Sequence, residues 1–345
     1  MHRTLQPPRG RFAPTPSGAL HLGSLRTALA SALSVWSVGG RWLVRVEDLD
    51  RARTPEGATE TLLDDLAWAG LTADEGPREG GPSAPYLQSA RGERYRAALD
   101  ALVADGFAYP CACSRRDLES APVAPHTRET LYPGTCRALP PREVEARAHA
   151  LGRGVAYRFQ SARFAEAITW HDAVMGPQRE DLITETGDFV LWRADGVAAY
   201  QLAVVVDDLA MGVTEVLRGD DLLPSTARQI ALYRALGAAL PRFGHLPLVV
   251  TPDGARFAKR LGSLAIKTLR EAGVGPEALL VRLALSLGVT PRGADLRAWA
   301  PSFALAKVPR APWVIDPRDY ASPRGAGGSI EGSSSAERSV GGTLR

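Results

Sequence analysis

The sequence predicts an α/β fold in which an open parallel sheet is split by an insertion and followed by a small helical region. Three observations predict it. The chain opens with a short strand, a proline- and glycine-bearing loop and a helix-period segment, and a β-branched run follows directly. Between Cys111 and Ala150 this pattern fails, and proline, arginine and cysteine dominate. Beyond it, strand-like runs return at Ala199–Val206 and Val213–Asp220 before the chain turns helical again.

Arg11-Phe12-Ala13 forms the first short strand, and Pro14-Thr15-Pro16-Ser17-Gly18 is a turn-rich loop. From Leu22 to Val38, the residues Leu22, Leu25, Leu29, Leu33 and Trp36 recur at intervals of three and four, one face of a helix that Gly39-Gly40 stops. Arg41–Val46 reads as a buried strand ending in Glu47-Asp48-Leu49-Asp50. Ligand crevices of open parallel sheets lie at the carboxyl ends of the strands, so Glu47 and Asp48 are aimed at a site. A second helix runs from Pro55 to Gly70 with Leu62, Leu63, Leu66 and Trp68 inside, and a third from Ala90 to Leu102. After Gly262, Leu279, Leu280, Leu283 and Leu287 share one helical face, and the last twenty or so residues lack any apolar pattern, as a flexible tail does.

The chain has 345 residues, of which 45% are hydrophobic and 23% charged, an ordinary globular mixture large enough for two or three units. Lys+Arg number 41 against 38 Asp+Glu, a net charge of only +3, too small to hold nucleic acid by charge alone but compatible with a local docking patch. No run of 18 apolar residues occurs, and the amino-terminal stretch lacks an apolar signal core, so a cytoplasmic protein with no membrane partner is expected. The three cysteines, all between Cys111 and Cys136, cannot make a disulfide framework and point to a metal site.

Two clusters carry chemistry. His21 and the small residues around it open a helix, where a phosphate can meet backbone N–H groups and an imidazole while Gly23 allows close approach. A proline-rich entry loop with a surface histidine would read the same way. Cys111-x-Cys113 and Cys136 offer three thiolates to a tetrahedral zinc, and by chemistry alone His126 is the natural fourth ligand. Taken singly, Glu47 would be a solvated strand-end acid and Arg218 half of a surface ion pair.

In order and spacing, Arg11-Phe12-Ala13-Pro14-Thr15-Pro16-Ser17-Gly18 with His21-Leu22-Gly23, then Trp42–Asp50, Ala199–Asp208 and Val216–Leu222, resemble the motifs of the glutamyl branch of class I aminoacyl-tRNA synthetases. The resemblance spans residues 9–265. It implies a Rossmann-like parallel sheet split by a zinc-bearing insertion and followed by a helical stem-contact region. The units are then 1–105 and 196–262 for the two halves of the catalytic domain, 106–195 for the insertion and acceptor-binding part, 263–315 for the stem-contact region and 316–345 for the tail.

The resemblance further implies that Arg11, Phe12, Ala13, Pro14, Thr15, Glu47, Tyr200 and Arg218 line a glutamate site. Physically this fits: arginine forks suit the two carboxylates of free glutamate, a carboxylate suits its ammonium, and Tyr200 can supply a hydroxyl. His21, Gly23, Ser24, Arg256 and Lys259 would hold ATP and its Mg²⁺, with His21 and Lys259 catalytic. Here the sequence departs from the family, whose Lys-Met-Ser-Lys-Ser loop is replaced by Arg256-Phe257-Ala258-Lys259-Arg260. Tyr132-Pro133-Gly134-Thr135-Cys136-Arg137 matches an element of one truncated glutamyl subgroup, which makes Tyr132, rather than His126, the fourth ligand of one structural zinc with Cys111, Cys113 and Cys136.

Little chain follows Lys259, where the long relatives continue into an anticodon-binding region. Truncation together with the cysteine–tyrosine cluster resembles the subgroup that attaches glutamate to queuosine in the anticodon stem-loop of tRNA(Asp). The resemblance thus implies a protein acting on L-glutamate, ATP and that tRNA, and a monomer is expected. Two alternatives stay open: a short enzyme charging a tRNA 3′ end, and a non-catalytic sensor of glutamate, ATP or RNA, for which the altered lysine loop argues.

Overall fold

A computed structural model describes residues 7–51, 54–114, 116–118, 131–255 and 265–316. The first half holds β1 (Arg9–Phe12), α1 (Leu22–Trp36), β2 (Arg41–Val44), α2 (Ala58–Trp68) and α3 (Gly92–Ala104). The intervening segment holds β3 (Ala108–Cys111), α4 (Pro141–Ala150), β4 (Ala156–Phe159), β5 (Ile168–Asp172), β6 (Gly176–Glu180) and β7 (Val190–Trp192). Then follow α5 (Tyr200–Ala210), β8 (Glu215–Gly219), α6 (Thr226–Ala235), β9 (Arg242–Leu246), β10 (Val249–Val250), α7 (Ile266–Glu271), α8 (Pro276–Ser286) and β11 (Trp313–Val314).

The main sheet has the order β2-β1-β8-β9, and every neighbouring pair in it is parallel. Its two faces are covered by different helices, as alternation along each strand requires. Trp42 and Val44 point to the side of α1, α2 and α8, whereas Leu43 between them points to the side of α3, α5 and α6. Val216 and Leu217 divide in the same way. Helix α1 forms as its spacing predicts, with Leu22, Leu25, Leu29 and Leu33 fully buried. On α8, Leu279, Leu280 and Leu283 are buried, with Leu287 buried just beyond its end.

The segment between the halves builds an antiparallel sheet of order β3-β4-β7 and a separate hairpin of β5 and β6. The region 111–150, expected to be irregular, includes helix α4 with Pro141 in its first turn, where a missing N–H costs nothing.

One element differs in kind from expectation. Ala199–Val206 is not a strand: from Tyr200 to Ala210 the chain is helical, and every residue from Gln201 to Asp208 is buried. A helix walled in on all sides has no polar face, so its apolar run cannot be told from a buried strand by periodicity. Smaller differences are at ends: β1 stops at Phe12, α2 starts at Ala58 rather than Pro55, and α1 stops at Trp36. The expected tail from residue 317 onward lies outside the described residues. No helix of the described residues is long and apolar enough to cross a membrane.

Arg26, buried on α1, ties distant parts together. It donates to the Pro247 carbonyl at 2.8 Å, to Ser286 Oγ at 2.9 Å and to the Ser286 carbonyl at 3.2 Å, and lies 5.7 Å from the Trp313 ring centroid. Burial lowers its pKa to about 10 while Asp220 works in the opposite direction.

Candidate active site

Because the sheet strands run in parallel, their carboxyl ends meet along one edge. Arg11 from β1, Arg45 and Glu47 from just past β2, Arg218 from β8 and His245 from β9 all project from that edge, and all five are buried. Asp207 and Asp208, near the end of α5, are buried with them. Arg11 Nε donates to both oxygens of Asp208, at 3.2 and 3.3 Å. Arg45 reaches three acids: Asp208 Oδ1 at 2.6 Å, Glu47 Oε1 at 3.1 Å and Asp207 Oδ2 at 3.6 Å. Asp207 is bound further by Arg91 Nε at 2.5 Å and by Tyr95 and Gln88 at 2.8 Å each.

Burial pushes the Asp208 carboxyl up, but the Arg11 and Arg45 guanidiniums outweigh it and hold Asp208 below its ordinary value. At Glu47 the balance is reversed: burial exceeds the pull of Arg45 and Arg11, and its pKa is raised. Tyr200, half-buried in the first turn of α5, has Arg218, Glu47, Arg11 and Asp208 as its charged neighbours, and burial raises its phenol. The structure therefore brings Arg11, Glu47, Tyr200 and Arg218 into one neighbourhood.

Arg218 has no carboxylate among its hydrogen-bond acceptors in the described residues. Its bonds run to His245 Nε2 at 2.9 Å, Gln229 Oε1 at 2.8 Å, Thr226 Oγ1 at 3.0 Å and the Leu222 carbonyl at 3.3 Å. Burial lowers its pKa, with Arg11 acting in the same direction and Tyr200, Asp208 and Glu47 acting against it. A guanidinium buried among neutral acceptors is costly unless an anion completes its surroundings.

The remaining loop residues wrap the same edge. Phe12 is buried, Ala13 and Pro14 are half-buried and Thr15 is exposed; the carbonyls of Phe12 and Pro14 accept from Arg45 N at 3.0 Å and Glu47 N at 2.9 Å. His21 is the N-cap of α1, its Nδ1 accepting from Ser24 N at 3.1 Å. In the neutral ring that bond leaves the proton on Nε2, which lies 2.9 Å from Ser24 Oγ. A Cβ on Gly23 would come within 3.2 Å of His21 Nδ1, so the absence of a side chain there leaves room for the imidazole. Arg256 and Lys259 lie outside the described residues.

The cysteines form a second centre at the far end of β3. The three Sγ atoms lie within 4.8 Å of one another, and Cys113 and Cys136 are 3.6 Å apart. Tetrahedral thiolate zinc, with Zn–S of about 2.3 Å, places its sulfurs about 3.8 Å apart, so the set fits that ion. Tyr132 Oη is 3.3 Å from Cys111 Sγ and 3.6 Å from Cys113 Sγ, and Gly134, at φ 82°, turns the chain between Tyr132 and Cys136. Arg158 covers this group, its guanidinium 3.9 Å from the Tyr132 ring centroid and its Nε 3.3 Å from Cys111 Sγ. His126 lies outside the described residues.

Asp207, Asp208, Arg45, Arg91, Asp172 and His245 were not singled out as site residues in the sequence. The available signal was a pair of acids inside an apolar run and an arginine inside a β-branched strand, both out of place unless they meet.

The family profile described as tRNA synthetases class I (E and Q), catalytic domain, matches residues 9–297. A protein of Symbiobacterium thermophilum named glutamyl-Q tRNA(Asp) synthetase is 52% identical over 308 residues, 88% of this chain and 94% of that protein. Glutamate–tRNA ligase 1 of Halorhodospira halophila is 46% identical over 312 residues, 89% of this chain but only 65% of its own length. Among solved structures, a glutamate tRNA ligase of Elizabethkingia meningosepticum, in complex with its amino acid, superposes with a TM-score of 0.79 at 29% identity, covering 91% of this chain and 68% of the other. The chain belongs to the class I glutamyl and glutaminyl tRNA synthetases.

Proposed function

We propose that the chain activates L-glutamate with ATP and Mg²⁺ and transfers the glutamyl group to queuosine in the anticodon loop of tRNA(Asp). The observation that carries the first half is Arg218, buried beside Arg11, Glu47 and Tyr200 and bonded only to neutral acceptors among the described residues. An anionic ligand bearing an ammonium balances that arrangement. The second half takes its support from the name of the 52%-identical relative, which this chain matches over 94% of that protein's length.

In this reading Arg218 and Arg11 take the substrate carboxylates, Glu47 takes the ammonium, Tyr200 offers its hydroxyl, and the backbone of Phe12, Ala13, Pro14 and Thr15 shapes the wall. A carboxylate oxygen of glutamate attacks the α-phosphorus of ATP, forming glutamyl-adenylate and releasing pyrophosphate. His21 Nε2–H, with the α1 amino terminus, Gly23 and Ser24, faces the phosphates, and Arg256 and Lys259 add charge there. A queuosine hydroxyl then attacks the activated carbonyl, forming an ester and releasing AMP. Positioning and electrostatics do the work, with no covalent enzyme intermediate.

Cys111, Cys113, Tyr132 and Cys136 would hold one zinc, which as a closed four-ligand site supplies structure and no reaction chemistry. The sequence units are proposed as drawn: catalytic halves at 1–105 and 196–262, an acceptor-contacting insertion at 106–195 and a stem-contact region at 263–315. The enzyme acts as a monomer in the cytoplasm.

Glutamate-dependent exchange of labelled pyrophosphate into ATP, without tRNA, tests the first step; no exchange would leave only a binding protein. Labelled glutamate offered to tRNA(Asp) with and without queuosine tests the acceptor. Labelling that depends on queuosine is expected, and labelling indifferent to it would move the activity to a tRNA 3′ end.

A further inference from the structure

The orientation of Arg218 is set by a second layer of buried side chains. Arg218 Nε–H donates to His245 Nε2 at 2.9 Å. An imidazole nitrogen accepts only when it bears no proton, so this bond requires a neutral ring protonated on Nδ1. Asp172 supplies the partner for that proton. Its Oδ2 lies 2.5 Å from His245 Nδ1, while its Oδ1 accepts the backbone N–H groups of Val174, Met175 and His245 itself at 3.0, 2.9 and 3.1 Å. Amide donors on one oxygen keep the carboxylate charged and stationary, and a charged carboxylate can only accept.

Both His245 and Asp172 are 0% exposed, so water cannot replace either bond. The alternative tautomer would set Nε2–H against Arg218 Nε–H and leave Nδ1 without a proton beside a carboxylate, losing both short bonds and keeping for Nε2–H only the longer approach, 3.3 Å, to Thr226 Oγ1, which already accepts from Arg218 at 3.0 Å. Burial, joined by the Arg218 charge, holds the imidazole below its ordinary pKa against the pull of Asp172.

We propose that Asp172 and His245 are positioning residues that aim Arg218 at the substrate carboxylate by locking His245 in its Nδ1–H tautomer. Asp172 ends β5, in the hairpin that the chain forms between the two halves of the main sheet in sequence, and that hairpin is pinned to the edge strand β9 by Ala173 N donating to the Phe243 carbonyl at 2.8 Å. The fork on β8 is thus oriented from outside its own sheet. The role in substrate binding rests on the glutamate-activating reading above; the tautomer does not.

Two substitutions separate positioning from mere packing. Glutamine at 245 can present an amide oxygen near the Nε2 position, whereas asparagine reaches only the Nδ1 position. In pyrophosphate exchange, His245→Asn is expected to raise the glutamate KM about tenfold or more while leaving the ATP KM within about twofold, and His245→Gln to recover most of the loss. Unchanged glutamate KM in both variants, or parallel decline for glutamate and ATP, would overturn the proposal. Should the variants not fold, ¹⁵N shifts of histidine-labelled full-length protein decide: a bare Nε2 and a protonated, slowly exchanging Nδ1 at neutral pH are expected, and a protonated Nε2 defeats the lock. Absence of exchange in the unsubstituted enzyme would instead defeat the glutamate reading, and is seen before any variant is made.

Discussion

Arg45 Nη1 lies 2.6 Å from Asp208 Oδ1 with both side chains essentially out of water, so the strand that leads to Glu47 and the helix that begins at Tyr200 are joined by a buried ion pair. The same guanidinium reaches Glu47 and Asp207. It holds those acids in place at the carboxyl edge of the sheet, because a charge buried with several carboxylates binds each more strongly than it could in water.

Removing that guanidinium should cost far more than a surface pair would. Arg45→Met leaves Glu47, Asp207 and Asp208 buried with less compensation, and unfolding in urea should show a loss of about 3–5 kcal/mol. A loss below about 1 kcal/mol, typical of exposed pairs, would mean the acids find other partners.

Glu47 gives a pH signature. Burial raises its carboxyl above the ordinary glutamate value despite Arg45 and Arg11, so its charged form disappears sooner as pH falls. Ammonium binding is full above that raised pKa and is lost as pH drops through it, so the glutamate KM should climb in the range just above an ordinary carboxylate titration. The empty protein has the opposite sign at this residue, since protonation relieves a buried charge. Glu47→Gln should raise the neutral-pH KM by about 10- to 100-fold and flatten the profile there. A profile that still bends in the variant assigns the ionisation to another group.

Gly23→Ala should injure the ATP half-reaction alone. The added methyl would stand 3.2 Å from His21 Nδ1 and 3.3 Å from its Cε1, displacing the ring from its cap bond with Ser24. We expect kcat for pyrophosphate exchange to fall about tenfold with the glutamate KM unchanged. An unaltered kcat would remove His21 from the phosphate site.

Metal content tests the second centre. Purified protein should hold one zinc, and Cys113→Ser and Tyr132→Phe should lose it while His126→Ala keeps it. Chelation should lower the melting temperature and leave pyrophosphate exchange measurable, since the cluster stands apart from the main sheet. Full zinc in Tyr132→Phe with loss in His126→Ala would reassign the fourth ligand.

Much of the candidate site is legible because Arg11, Glu47 and Arg218 sit at or just past strand ends, where short motifs fix both residue type and direction. Arg11, Glu47 and Arg218 could be named from such motifs. Asp208 and His245 could not, because what places them is a partner far along the chain: Arg11 and Asp208 are 197 positions apart and Asp172 and His245 are 73. Helix α5 reads as a strand for a related reason. Its apolar run carries no exposed face to betray a period, and its two acids mark contact with Arg11, Arg45 and Arg91 rather than with solvent.

Arg26 ties the carboxyl-terminal segment to the helix that His21 caps. One guanidinium on the helix capped by His21 grips the Pro247 carbonyl, the end of α8 and the face of Trp313, and Trp313–Val314 pair in register with Val249–Val250 just upstream of the basic stretch at 256–260. A chain cut before Trp313 would free the root of that stretch as well as its own end. The boundary that sequence places at residue 262 is therefore crossed by a brace: strain applied to the helical region reaches the helix that His21 caps and the strand at Val249–Val250.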